Sequence, residues 1–187
     1  NAVLGTFKYT LISIADANNC SGVIPAPPDN SATITVVNGL PDITASQFFN
    51  VTQINTGGTI QEVIAVRNTG TAANTAPVTF TVTNYFTLLT GLSAASNTNP
   101  TVTIGFTTYT LSNVTDWDVT VTTSALTFTS KPGVIINPGT QKFVGVTINR
   151  SGGAGGSVNN TITITPGTGG GETPTSNNSI SNTIIKN

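Results

Sequence analysis

Period-two alternation, sustained from end to end, is what most limits the fold open to this chain. Apolar residues alternate with threonine or another small polar residue in Thr-Phe-Lys-Tyr-Thr-Leu at 6–11, Ala-Thr-Ile-Thr-Val at 32–36 and Thr-Ile-Thr-Ile-Thr at 161–165. Successive side chains of a strand point to opposite faces, so this pattern builds sheets with one apolar and one polar face and offers no stripe to a helix. Strands are expected at 6–14, 31–37, 43–49, 59–68, 77–84, 101–110, 116–123, 125–130, 141–149, 161–165 and 179–186. Between them lie Asn55-Thr56-Gly57-Gly58, Asn68-Thr69-Gly70, Lys131-Pro132-Gly133, Asn137-Pro138-Gly139 and the glycine-rich runs 151–156 and 167–171, which supply the backbone conformations that chain reversals need. Short strands separated by turn chemistry at about 8–12-residue spacing indicate an all-β protein, with an Ig-like antiparallel β-sandwich over 41–187.

The first 40 residues fit that sandwich poorly. They hold two strands around a long loop at 15–30, and a lone two-stranded ribbon cannot bury a sheet face. The expectation is a two-part chain: residues 1–40 as the tail of an earlier domain or as strands lent to a neighbour, and 41–187 as the sandwich. Proline cannot continue a ladder, which puts the boundary at Leu40-Pro41. A start at Asn1, with neither methionine nor a signal-like stretch, reads as a processed product or a fragment.

Composition narrows the chemistry. Only 13 of 187 residues are charged, the net charge is −1, and 37 threonines and 21 asparagines take over the solvation of the surface. There is no histidine, no methionine and a single cysteine, so Ser-His-Asp and Cys-His machinery, His-ligated metals and multi-cysteine clusters are excluded. Six Lys and Arg scattered over the chain make no nucleic-acid patch. No apolar run reaches the ~18 residues of a membrane span. No catalysis and no cofactor are expected, because acid–base groups that titrate near neutrality are missing from the composition.

Asp116, Trp117 and Asp118 form the densest polar–aromatic cluster. On a strand the two carboxylates would share one face, making Asp116 and Asp118 the candidate calcium ligands; the competing reading is a tryptophan plug in the core beside a solvated acidic edge. Asp16, Asn18 and Asn19 form a similar loop cluster that also suits Asx-turn chemistry. Cys20 lacks a base to activate it, and reads as a buried thiol or as half of a disulfide to the rest of its repeat. Asparagine triplets of the glycosylation type begin at Asn19, Asn50, Asn113, Asn149, Asn159 and Asn177, as a composition this rich in Asn and Thr would give by itself. The runs Gly152–Gly156 and Gly167–Gly171 lack the following helix and lysine of a phosphate loop and read as flexible hairpin connections.

The segment 9–37, with Tyr9-Thr10-Leu11, Cys20 and Ala32-Thr33-Ile34-Thr35-Val36, resembles the closing strands of PKD-like or Ig-like repeats in very large cell-surface proteins of Bacteroidota. From Pro41 onward, Pro41-Asp42-Ile43-Thr44, Val66-Arg67-Asn68-Thr69-Gly70, Asp116-Trp117, Ser130-Lys131-Pro132-Gly133-Val134, Gly169-Gly170-Gly171 and Asn177-Asn178-Ser179 resemble the terminal domain of the same proteins, including gliding-motility adhesins exported by type IX secretion. Asn19 stands where the repeat pattern has glycine, and the Asn-Gly-Asp-Gly run of gliding-associated C-termini is absent. The resemblance implies a non-enzymatic structural or adhesive module at the cell surface, associated with the outer membrane. Its implied partners are preceding repeats of the same polypeptide, outer-membrane secretion or attachment proteins, and a surface or glycan ligand. The alternative from the residues is a subunit of an extracellular filament or pilus assembled by β-strand donation, in which strands 6–14 and 31–37 complete a neighbour's sheet.

Overall fold

The run Gln61-Glu62-Val63-Ile64-Ala65-Val66 shows how the sequence becomes a sandwich. Ile60, Ile64 and Val66 point to one side of their strand and Val63 and Ala65 to the other, and all five are buried. This strand therefore lies between two apolar layers. The computed structural model describes residues 5–14, 17–18, 21–26, 30–36, 39–83, 92–94, 101–122, 125–150 and 152–187. They fall into two units, Asn1–Gly39 and Leu40–Asn187.

The first unit consists of β1 (Gly5–Thr10) and β2 (Ser31–Val36), paired antiparallel. The second contains β3 (Ile43–Phe49), β4 (Gln53–Ile54), β5 (Thr59–Asn68), β6 (Thr79–Thr83), β7 (Leu92–Ala94), β8 (Thr101–Ile104), β9 (Thr107–Thr110), the one-turn helix α1 (Asn113–Asp116), β10 (Trp117–Val121), β11 (Ala125–Ser130), β12 (Gln141–Asn149), β13 (Gly156–Ile164) and β14 (Ser179–Lys186). One sheet has the order β10-β11-β6-β13-β14-β4 and faces another of order β3-β5-β12-β7. All pairings are antiparallel except β14 with β4. The all-β antiparallel sandwich expected from the alternation is the observed fold.

Several elements differ from the sequence expectation, β1 among them, which ends at Thr10 rather than Ile14. The span 101–110 is a hairpin rather than one strand, because Gly105 takes a φ of +60° and turns the chain. Asp116 closes α1, so the strand begins at Trp117. β13 starts five residues early, at Gly156, because it must match the length of β14. The short β4 and β7 carry too few residues to show a period.

Between the sheets lies a core that includes Ile43, Ile60, Ile64, Val66, Phe80, Val82, Leu126, Phe128, Val144, Val146, Ile148, Ile162 and Ile164. The outer face of the larger sheet explains the threonines. In register across five strands stand Thr120, Thr127, Thr81, Thr163 and Ser179, a rank of hydroxyls where most proteins use charges. The outer face of the smaller sheet is covered instead. Tyr109 of β9 stacks on Phe48 at 5.2 Å and meets Phe143 edge-on at 5.2 Å, which shields Val63 and Ala65. Asn113 anchors this cover, its amide exchanging hydrogen bonds with the backbone of Gly145 at 2.7 and 2.8 Å. That amide is buried and held by the strand backbone, so the triplet at Asn113 is closed to a glycan in the folded chain.

Asparagines also fasten one end of the sandwich. Asn68 accepts from the N–H of Asp42 and of Gly70 at 3.1 and 2.9 Å, and donates to the carbonyls of Ala72 and Ile136 at 2.8 and 2.9 Å. Asn74 donates to Ala76 O and Val134 O and accepts from the N–H of Ile136. The run 167–171, expected to be flexible, is packed: Gly169 is buried, its carbonyl accepts from Thr75 and Ala76, and a Cβ on Gly170 would fall 2.0 Å from Thr75 Oγ1.

Gly70 lets the backbone of 40–42 approach so closely that a Cβ there would sit 2.3 Å from Leu40 O and 2.4 Å from Asp42 N. Gly70→Ala is expected to cost about 1–3 kcal/mol by overpacking against backbone that cannot yield. Gly152→Ala, which meets nothing within 4 Å, should change stability little. Chemical denaturation of the two variants checks the contrast.

Candidate functional site

The acidic cluster resolves into separate parts. Asp116 pairs with Lys142, Oδ2 to Nζ 2.9 Å, the one salt bridge among the described residues. Its partial burial pushes the carboxyl pKa up, but the hydrogen bond and charge of Lys142 outweigh this, with help from Ser112 and Thr115, and hold it below the usual aspartate value. Asp118 is exposed on β10. The two carboxylates thus belong to different elements, and the described residues contain no group of three or more acidic, Cys or His side chains able to hold a metal. Trp117 takes the core position of the competing reading, 2% exposed. Asp16, Asn19 and Cys20 lie outside the described residues.

Sequence reasoning missed the most unusual polar site, because one glutamate inside a strand looks like any surface residue. Glu62 of β5 points into the core and is 1% exposed. Its Oε1 accepts from Gln47 Nε2 of β3 at 3.0 Å and its Oε2 from Asn160 Nδ2 of β13 at 2.7 Å. Asn182 Nδ2 of β14 donates in turn to Gln47 Oε1 at 2.8 Å. Two strands of each sheet therefore meet in one buried network with no cation in it. Burial pushes the Glu62 carboxyl up to about 7, against the opposing pull of the Gln47 and Asn160 hydrogen bonds. A satisfied network of this kind fixes how the sheets register, since any slip would leave a buried carboxyl or amide unpaired.

The first unit presents a different kind of surface. In its ribbon Phe7 pairs with Ile34 and Tyr9 with Ala32, which puts these four side chains on one face. Thr6, Lys8 and Thr10 share the other face with Ser31, Thr33 and Thr35, where Thr6 and Thr35 hydroxyls meet at 3.4 Å. The apolar face is open: Tyr9 is 60% exposed and Ile34 53%. Beyond the paired region Leu11, Ile12 and Ile14 are exposed as well, although Leu11 N–H still donates to Asn30 O at 2.8 Å. A cleft of about 470 Å³ lined by Tyr9, Thr10, Leu11, Asn30, Ser31 and Ala32 lies at this end of the ribbon. Among the described residues β1 and β2 pair only with each other, which leaves the outer edge of each strand open to a further strand.

No protein-family model and no curated protein matches the chain. Similarity is found among solved structures. A CARDB domain from Pyrococcus furiosus, in complex with di-metal ions, aligns at 13% identity with a TM-score of 0.45, covering 79% of this chain and 89% of that one. A cohesin module from a Clostridium perfringens family 33 glycoside hydrolase aligns at 7% identity and a TM-score of 0.46, covering 79% and 98%. The C-terminal domain of a Streptococcus pyogenes antigen I/II-family protein aligns at 12% identity and a TM-score of 0.42, covering 84% and 49%. No helix among the described residues is long and apolar enough to cross a membrane.

Proposed function

We propose that the chain is a non-enzymatic structural and adhesive module of a secreted bacterial cell-surface adhesin. In this reading residues 1–40 are the closing strands of one PKD-like or Ig-like repeat, and 41–187 form a terminal sandwich that takes part in export by, or attachment to, the type IX secretion and gliding machinery. The observation that carries it is the open apolar face of the β1–β2 ribbon. Water does not favour a face bearing Phe7, Tyr9 and Ile34, and two strands alone are marginally stable. The function of this segment is therefore to pack on another β-structure, and the remaining strands of its own repeat are the occupant the resemblance implies. The threonine face of unit 2 and its lack of histidine suit a long-lived stalk better than a reaction centre.

The two open edges of the ribbon favour a second reading, addition of these strands to the sheet of a neighbouring molecule in a filament. Removing residues 1–39 separates the two. A stalk module predicts that the fragment 40–187 unfolds at the same denaturant midpoint as the full chain, stays monomeric, and leaves 1–38 protease-sensitive when made alone. Strand donation predicts that the full chain self-associates and that the deletion abolishes it. Unfolding of 40–187 on the deletion would refute the division into repeat and terminal domain. Failure of residues 41–187 to carry a fluorescent fusion to the cell surface would remove the export role.

A further inference from the structure

Glu62 and Glu172 are the two buried carboxylates among the described residues, each 1% exposed, and only the first is fully satisfied. Glu172 follows Gly169, Gly170 and Gly171, whose φ values of +67°, +96° and +106° belong to the left-handed region that side chains avoid. The chain they bend brings Glu172 N–H to Thr168 O at 3.1 Å. Six residues later Asn178 is clamped to the end of β13. Its carbonyl accepts from Ile164 N–H at 2.7 Å, and its Nδ2 donates to Ile164 O at 3.3 Å. The same Nδ2 donates to Glu172 Oε2 at 2.9 Å, so the carboxylate and the amide are in direct contact.

One oxygen of each group is left over. Glu172 Oε1 and Asn178 Oδ1 are buried and have no hydrogen-bond partner among the described residues. Turning the amide over does not cure this, because Nδ2 already faces two acceptors and an oxygen in its place would be repelled by both. Both leftover atoms are acceptors, so they call for a donor or a positive charge. The described residues provide no cation, since their one salt bridge joins Asp116 to Lys142. Asp42, tied to the same loop by Asn177 Nδ2 at 2.8 Å, has its other oxygen taken by the Thr69 hydroxyl at 2.7 Å. Glu62, by contrast, meets an amide donor at each oxygen. A buried carboxylate without a compensating charge is costly. Carboxylate and amide oxygens are hard ligands, the kind that calcium takes and that metals seeking thiolate or imidazole do not.

We propose that Glu172 Oε1 and Asn178 Oδ1 are ligands of one calcium ion, bound where the 169–178 segment closes on the end of β13, with backbone carbonyls and waters completing its shell. The ion compensates the buried carboxylate and uses neither Asp116 nor Asp118. The test is the melting temperature of the full chain, freed of metal with EDTA and titrated with calcium chloride at ionic strength fixed with sodium chloride. The midpoint should rise saturably, following RT ln(1 + [L]/Kd), and calorimetric titration should count one ion per chain. Glu172→Gln removes the charge and keeps an acceptor for Asn178 Nδ2. It should weaken calcium affinity about tenfold or more. Without metal this variant should melt no lower than metal-free wild type, because it no longer buries an uncompensated carboxylate. Asp118→Asn should keep the full response. Should Glu172→Gln fail to fold, Asn178→Ser, which removes Oδ1, reads the same loss. The proposal is overturned if wild type shows no saturable rise, if either loop variant responds like wild type, or if the response is lost in Asp118→Asn.

Discussion

Unfolding free energy should fall by about 3 kcal/mol as pH rises from about 4.5 to about 7, and then level off, because of Glu62 alone. In the unfolded chain this carboxyl titrates near 4.5, and in the sandwich burial raises it to about 7. A raised folded-state pKa means that the folded protein binds the proton more tightly. The stabilisation is thus fully present below the unfolded value and is lost as pH climbs through the folded one. Asp116 works in the opposite sense and in a different window. Its pKa is lowered, so its small contribution is present above about 3.8 and lost below it. Denaturation at a series of pH values would show the slope, and Glu62→Gln should flatten it while leaving the fold intact. A wild-type profile that is already flat between 4.5 and 7 would mean that the carboxyl is hydrated in solution.

Trp117→Ala should be the most damaging single core substitution, at about 3–5 kcal/mol. The indole is 2% exposed and meets Phe80 edge-on at 5.2 Å, and Phe80 in turn stacks on Phe128 at 4.8 Å. The three rings come from the adjacent strands β10, β6 and β11, so an alanine leaves a cavity that sheet geometry prevents from closing. Trp117→Phe should cost much less. The indole Nε1 is buried without a partner, so losing that N–H offsets part of the lost contact area. Native emission should be blue-shifted and move red on unfolding. An alanine variant as stable as the wild type would show that β10 does not close the core.

Much of the sandwich was legible because strand alternation is a local property. Ile43–Phe49, Thr59–Asn68, Ala125–Ser130, Gln141–Asn149 and Ser179–Lys186 occupy the spans their periodicity marks. One signal went unused. The unbroken apolar run Val63–Val66 marks a strand buried on both faces, and it announced the Tyr109, Phe48 and Phe143 layer that covers the smaller sheet. The reading of 101–110 as a single strand concealed that layer, because threonines continue through the turn at Gly105 and nothing in the alternation breaks there.

The sequence by itself determined the all-β class, the threonine surface in place of charges and the absence of histidine chemistry. Each follows from composition or from the fixed alternation of side chains along a strand. Only the tertiary structure decided which charged groups are buried and what they meet. Gln47 and Asn160, which form the Glu62 network, are 113 residues apart in the chain, and Arg150 reaches a carbonyl 96 residues away. Periodicity states which side of its own strand a residue occupies. It carries no record of the strand that will lie opposite, and the environment of a buried charge is set by that opposite strand.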